Sequence, residues 1–292
     1  MNRPTTDRSD ARGKSRPAKE TWRVEELGSF LAEFHEFSLR HTAVIDLVQR
    51  GRFSSNTELE ALSVLALDGP QRPGELAAEV GLTAGGTTNL LDRLQAAGFI
   101  RRSRPTSGDR RTVIIELTPD GSDLVDRTAE AYLLTFSLAS RLVDHWHNTF
   151  VHLDFDIGAS FIDDASPHQM LHQVRKMARV GAEMHALQAN EGVFGSDDPS
   201  PSATFSVLWM AQKEGAIRPR DIARAERLSP AGTTELLDRL EAAGLIERSR
   251  GSGADGRGVD ITMTELGRQR LEKSIVVVEP AIQRFAQLLF PT

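Results

Sequence analysis

Val24, Leu27, Leu31, Phe34, Ser38, His41, Ile45 and Val48 fall at alternating spacings of three and four, which predicts one face of a long helix. Glu58 to Leu67 predicts a second, short apolar helix. Pro73 opens a third, with Leu76 and Val80 on its buried side and Gly81 at its end. Thr83 is placed to cap a fourth, whose apolar face is Leu90, Leu91, Leu94 and Ala97 and which Gly98 closes. The period then changes to two. Phe99-Ile100, followed by Val113, Ile115 and Leu117, alternates with polar residues and predicts a two-stranded hairpin. The polar stretch Arg104–Arg111, rich in Gly and Pro-type breakers, predicts its exposed turn. Thr118-Pro119 restarts a helix, and Leu124, Tyr132, Leu133, Phe136, Leu142, Val143 and Trp146 carry its apolar face to about residue 150.

The pattern is then written again. LTAGGTTNLLDRLQAAGFIRRSR at residues 82–104 matches LSPAGTTELLDRLEAAGLIERSR at residues 228–250 in 16 of 23 positions, at a constant offset of 146. Arg72-Pro73 faces Arg218-Pro219, Asp109 faces Asp255, Arg111 faces Arg257, Thr118 faces Thr264, and Gly121 faces Gly267 at the same offset. In the second copy Ser229 caps the fourth helix and Pro230 takes its first position. This copy enters through Ser166-Pro167 and a helix bearing Met170, Val174, Met177 and Met184. It closes with a helix from Thr264 that Pro280 is expected to interrupt, then a short one with Ile282, Phe285 and Leu289.

The reading is therefore mainly α (α+β), with two tandem modules at residues 21–150 and 166–292. A polar segment at 1–20, six basic and three acidic side chains without apolar periodicity, reads as a disordered basic tail. Residues 151–165 read as a linker and 191–202 as a loop. The length of 292 residues fits two domains. The absence of cysteine excludes disulfides, thiolate zinc sites and thiol nucleophiles. No apolar run reaches the ~20 residues of a membrane helix, and no signal-peptide core is visible, so no membrane partner and a cytoplasmic location are expected. The net charge of −6 is mild, and local basic patches matter more than the sum.

Two short helices joined by a glycine-bearing turn, then a basic hairpin, make a winged helix-turn-helix, twice. A helix of ordinary width fits the DNA major groove and reads base edges with its N-terminal residues. Small or polar residues there allow deep seating, and Thr83, Gly85, Gly86, Thr87, Thr88, Asn89 and Arg93 meet that need. In the second copy the set is Ser229, Thr233, Thr234, Glu235 and Arg239. Two adjacent glycines in a helix cost about 1 kcal/mol each, which close approach to DNA or to the preceding helix would justify. Residues 101–111 hold five arginines, Arg104, Arg110 and Arg111 among them, against Asp109 alone. Such a wing follows phosphates or enters the minor groove. The second wing, residues 247–257, is weaker: Arg248, Arg250 and Arg257 stand against Glu247 and Asp255. Asn89 can read adenine, whereas Glu235 accepts from cytosine and is repelled by phosphate. An asymmetric operator with a tighter first half-site follows.

At LLDRLQAAGFIRRSR, then GDRR, then LTPDG, the chain resembles the MarR family of bacterial transcriptional regulators. The matching positions are Asp92, Leu94, Gly98, Arg102, Asp109, Arg111, Leu117, Thr118 and Gly121. The second copy supplies Asp238, Leu240, Gly244, Arg248, Asp255, Arg257, Met263, Thr264 and Gly267. The resemblance implies a double-stranded DNA operator and a small-molecule effector in a cleft between the dimer helices and the DNA-binding lobe. It implies homodimers held by their first and last helices. Two fused modules instead predict an intramolecular pseudo-dimer with a helical dimerisation-type bundle, monomeric in solution, its recognition helices roughly 34 Å apart.

Other chemistry weighs less. All eight histidines lie outside the winged-helix segments, and His168 and His172 stand one helical turn apart, after Asp163 and Asp164, as weak metal candidates. Met170, Met177 and Met184 recur every seven residues, as helix packing or as the lining of an apolar pocket. No phosphate loop and no nucleophile motif is visible, so an enzyme is not expected and no cofactor is called for. The alternatives to a DNA-binding regulator are a winged-helix adaptor without specific DNA binding and a metal-responsive regulator.

Overall fold

The computed structural model describes residues 18–49, 56–104, 112–162, 165–194, 199–250 and 258–292. The first half runs α1 (Ala18–Gln49), α2 (Asn56–Asp68), α3 (Pro73–Val80), α4 (Ala84–Ala96), β1 (Ile100–Ser103), β2 (Ile114–Leu117), α5 (Pro119–Leu138) and α6 (Ser140–His152). The second runs α7 (Pro167–Asn190), α8 (Pro201–Glu214), β3 (Ala216–Ile217), α9 (Pro219–Ala225), α10 (Pro230–Ala242), β4 (Ile246–Arg250), β5 (Val259–Met263) and α11 (Glu265–Leu289). Helix starts follow the capping chemistry. Thr83, Thr118, Ser229 and Thr264 each accept a hydrogen bond from the backbone N–H three residues on. Ser166 and Gln169 form a reciprocal capping box at α7.

Several expectations are corrected. Of the expected tail, residues 1–17 lie outside the described residues, and α1 already begins at Ala18. The long helix expected to residue 150 breaks at Ala139 into α5 and α6. Conversely, α11 passes through Pro280 without interruption. Pro280 and Val276, whose carbonyl loses its N–H partner, lie on the exposed side, where water can hydrate that oxygen. Val278, Ala281, Ile282 and Phe285 hold the opposite face in the core. Residues 151–165 are no free linker: Leu153, Phe155 and Ile162 are buried, and Gly158 N–H donates to Phe290 O at 2.8 Å. α8 starts at Pro201, within the expected loop.

Each hairpin is antiparallel, Ile100 facing Leu117 and Ile246 facing Met263. A third partner, unforeseen, joins both. β3 pairs with β5 through Ile217 and Ile261, and at the same offset Gln71 bridges Ile115 in the first half.

The two halves share one hydrophobic core. Phe30 and Phe34 of α1 meet Phe285 of α11, at ring-centroid distances of 5.8 and 4.7 Å, and Phe30 also meets Trp146 and Phe150. α5 packs on α7, and α1 on α11, so first and last helices form a bundle across the pseudo-two-fold. Each first helix also braces the other half. Arg175 of α7 pairs with Asp68 (3.1 Å) and Glu79 (2.9 Å), and Arg179 with Glu79 (2.7 Å). Reciprocally, Glu25 and His35 of α1 meet Lys213 and Glu226. The chain is an intramolecular pseudo-dimer of winged-helix modules.

Candidate nucleic-acid interface

α3 and α4 are joined by a tight turn in which Gly81 has φ +70°. Leu90, Leu91 and Leu94 anchor α4 inward, and Thr83, Gly85, Thr88, Asn89 and Arg93 face out. In α10, Leu236, Leu237 and Leu240 are buried, and Ser229, Thr234, Glu235 and Arg239 face out. Thr87 and Thr233 leave the candidate set. They are 4% and 3% exposed, and their hydroxyls donate to Thr83 O (2.9 Å) and Ser229 O (3.0 Å). They complete the i, i+3, i+4, i+7 buried stripe with the leucines.

The glycine pair divides into two roles. A Cβ at Gly86 would press on Thr83 Oγ1 at 3.3 Å, so this glycine keeps the cap close, and Gly232 stands likewise over Ser229. Gly85 faces open space, and the second copy has Ala231 there. Arg93 Nε donates to Glu58, a carboxylate buried at 4% exposure, at 2.8 Å. Its charge is thereby held beside the helix's outer face.

The wing is fixed to the recognition helix by the same arginine–aspartate ion pair in each copy, and in the second Arg248 also meets Glu241 at 3.5 Å. Arg102 meets Asp92 at 2.6 Å, and Arg248 meets Asp238 at 2.6 Å. Arg101 pairs with Glu116 at 2.9 Å, which holds the Glu116 carboxyl below its usual range. Arg104 and Arg250 are exposed at the strand ends. Arg110, Arg111 and Arg257, the expected wing tips, lie outside the described residues. Below the wing, Thr118 and Thr264 donate to Gly98 O and Gly244 O at 2.6 and 2.7 Å. A Cβ at Gly121 or Gly267 would stand 2.1 or 2.2 Å from the carbonyl oxygen of Phe99 or Leu245. The motif from α4 to α5 is thus a set of mutual contacts, made twice.

A family model for the MarR family matches residues 55–113 and again 201–259, the same offset of 146. The chain carries two MarR-family domains in tandem. Similar curated proteins include YcgE, an HTH-type transcriptional regulator of Bacillus subtilis (strain 168), 37% identical over 24% of this chain and 46% of its own length. The HTH-type transcriptional repressor NicR of Pseudomonas putida is 31% identical over 35% of this chain and 63% of its own length. For the first three curated relatives the chain spans under half of their length. Among solved structures, one on regulation of DNA binding of Bordetella bronchiseptica BpsR by 6-hydroxynicotinic acid is 25% identical. It covers 37% of this chain and 75% of that one, at a TM-score of 0.30.

Between the bundle and the first MarR domain's helix-turn-helix lobe lies a cavity of about 190 Å³. His41, Ser63, Tyr132, Leu171, Val174 and Arg175 line it, from α1, α2, α5 and α7. His41 stacks on Tyr132 at 4.7 Å, and burial holds its imidazole down to about 4, so it is neutral at physiological pH. Burial also raises Tyr132. The Arg175 side chain is 9% exposed, yet its Nε and His41 Nδ1 find no hydrogen-bond partner among the described residues. Neither residue was expected at a site. His41 does carry a signal, as a polar side chain inside an apolar stripe, whereas Arg175 carries none. Met170, Met177 and Met184 are buried and are absent from this lining, which accords with helix packing. His168 and His172 stay beside each other on α7, but among the described residues no group of three or more His, Asp or Glu converges as a metal site. No helix among those residues is long and apolar enough to cross a membrane.

Proposed function

We propose that the protein is a cytoplasmic, ligand-responsive transcriptional repressor that binds double-stranded DNA as a monomeric pseudo-dimer. Each recognition helix enters one of two successive major grooves, presenting Thr83, Gly85, Thr88, Asn89 and Arg93 in the first half and Ser229, Thr234, Glu235 and Arg239 in the second. Arg104, Arg110 and Arg111 contact phosphate or minor groove on one side, and Arg250 and Arg257 on the other. The observation that carries this reading is the doubled arrangement of an exposed polar helix face locked to its wing by Asp92–Arg102 and Asp238–Arg248.

The effector enters the 190 Å³ cavity. Its unpartnered His41 and Arg175 nitrogens suit a hydroxylated aromatic carboxylate, the class to which the BpsR regulator 6-hydroxynicotinic acid belongs. A bound carboxylate draws Arg175 away from Asp68 and Glu79 and so shifts the lobe that carries α4.

The test is a gel shift on the DNA upstream of the protein's own gene, titrated with salt and with a panel of such acids. A specific complex with a steep salt slope, released by an acid, is expected. No specific complex at low salt overturns the regulator and leaves the adaptor. Arg111→Ala is expected to weaken binding by about 1–3 kcal/mol. A footprint showing two equally protected half-sites would refute the tighter first half-site.

A further inference from the structure

The offset of 146 runs without a gap through α2 and α8. Glu58–Leu65 and Thr204–Ala211 share the 146 offset, and their leucine and alanine core positions are buried in both. That register maps the effector cavity onto its twin. Leu59 becomes Phe205, Tyr132 becomes Val278, and Ser63 becomes Trp209. At the twin site the helix crossing from the other half is α1, as α7 crosses the first.

Trp209 fills that crossing. Its indole lies so close on α1 that a Cβ at Gly28 would stand 2.2 Å from the ring. Only a glycine leaves this room. Phe205 stacks alongside at 6.0 Å and 13°, and Lys213 covers the ring at 5.4 Å while pairing with Glu25. Trp209 forms a wall of two separate clefts, one toward Val24 and Leu271 and one toward Ala32 and Met210. These clefts measure about 540 and 670 Å³ and flank the crossing; neither is lined by Phe205, Val278 or Gly28, the counterparts of the cavity-lining Leu59, Tyr132 and Val174. The polar pair is missing as well, since the Tyr132 position that stacks on His41 is Val278 here.

We infer that the second domain's effector site is closed by Trp209 seated on Gly28, so that one chain binds one small molecule where a symmetric pair binds two. The inference rests on the effector reading of the first cavity. Binding is then hyperbolic, with no cooperativity between sites. The signal acts on one DNA-binding lobe, the one with the stronger wing.

Two measurements test it separately. Calorimetry of the full chain with 6-hydroxynicotinate, then with other hydroxylated aromatic carboxylates, is expected to give one molecule per chain. Ser63→Trp, which copies the closure into the first cavity, is expected to weaken that binding at least tenfold. Two molecules per native chain overturn the closure. No binding by any acid overturns the effector reading and leaves the second arm standing. In that arm Trp209→Gly in the Ser63→Trp background is titrated with indole, the ring it lacks. Indole is expected to restore the lost thermal midpoint, as an apolar void accepts an apolar ligand of its shape. Failure of indole to raise the midpoint overturns the assignment of Trp209 as the plug. Should the double variant not fold, Trp209→Gly in the native background is titrated with indole in its place, with the same two outcomes.

Discussion

Single atoms set much of this architecture. Gly121 and Gly267 each bring the start of a long helix onto the carbonyl that follows the recognition helix. Gly121→Ala drives a methyl into that backbone, and a loss of about 1–3 kcal/mol in urea unfolding is expected; an unchanged midpoint would show the contact to be slack. His41 makes stability depend on acid. In the unfolded chain it titrates near 6.5, in the fold near 4. The unfolded chain binds the extra proton between those values, so stability is full above about 6.5 and declines as pH falls toward 4. The loss amounts to at most about 3 kcal/mol. His41→Leu is expected to flatten this decline in urea midpoints measured from pH 7 to 4, while Glu60, whose carboxyl burial raises, titrates in both proteins. Caps and turn glycines were readable because their chemistry is local. The burial of Thr87 was also written in its spacing from the leucines, but the residue type masked it. Gly81 announces a left-handed turn that Arg227 adopts at φ +53° in the second copy, where its guanidinium donates to Leu39 O. No local rule predicts that arginine, because its partner lies in the other half.

At the scale of elements, the two copies differ where proline rules would place the break in the wrong half. α11 carries Pro280 in its interior and runs on, whereas α5 has no proline beyond Pro119 at its first position and stops at Leu138. Tertiary burial decides: the Pro280 side faces water, and the opposite face is held by Ile282 and Phe285. Pro280→Ala restores one backbone bond without disturbing that face, and a gain on the order of 1–3 kcal/mol in thermal unfolding is expected. A loss would mean that the proline sets a bend the bundle needs. The ion pairs Asp92–Arg102 and Asp238–Arg248 belong to this scale too. Partly exposed, they contribute little to stability, and their effect is to fix the angle between helix and wing. The hairpins were legible from alternation. The bridge at Gln71 was not, since a single pairing leaves no period to detect.

For the whole molecule, the doubled sequence and the half-length offset made the pseudo-dimer legible before any coordinate. The cross-bracing was not, because Arg175, Asp68 and Glu79 are about a hundred residues apart in sequence and only the fold brings them together. Phe285 is the joint between halves. Phe285→Ala is expected to cost about 3–5 kcal/mol and to lower both halves in one cooperative transition. Two separated transitions by calorimetry would mean that the halves fold as independent bodies. In sedimentation the chain is expected at its own 32.1 kDa, and a compact particle of twice that mass with no smaller species would overturn the monomer.

The exchange of first helices has a consequence for synthesis. While the ribosome is still making the second half, Phe30 and Phe34 have left the tunnel without Phe285 to cover them. At elongation rates of about 5–20 residues per second this interval lasts on the order of ten seconds. The nascent first half must wait with its sticky face open, a ready client for a ribosome-associated chaperone. Severing the gene between the halves would leave each product wanting the helix it received from the other.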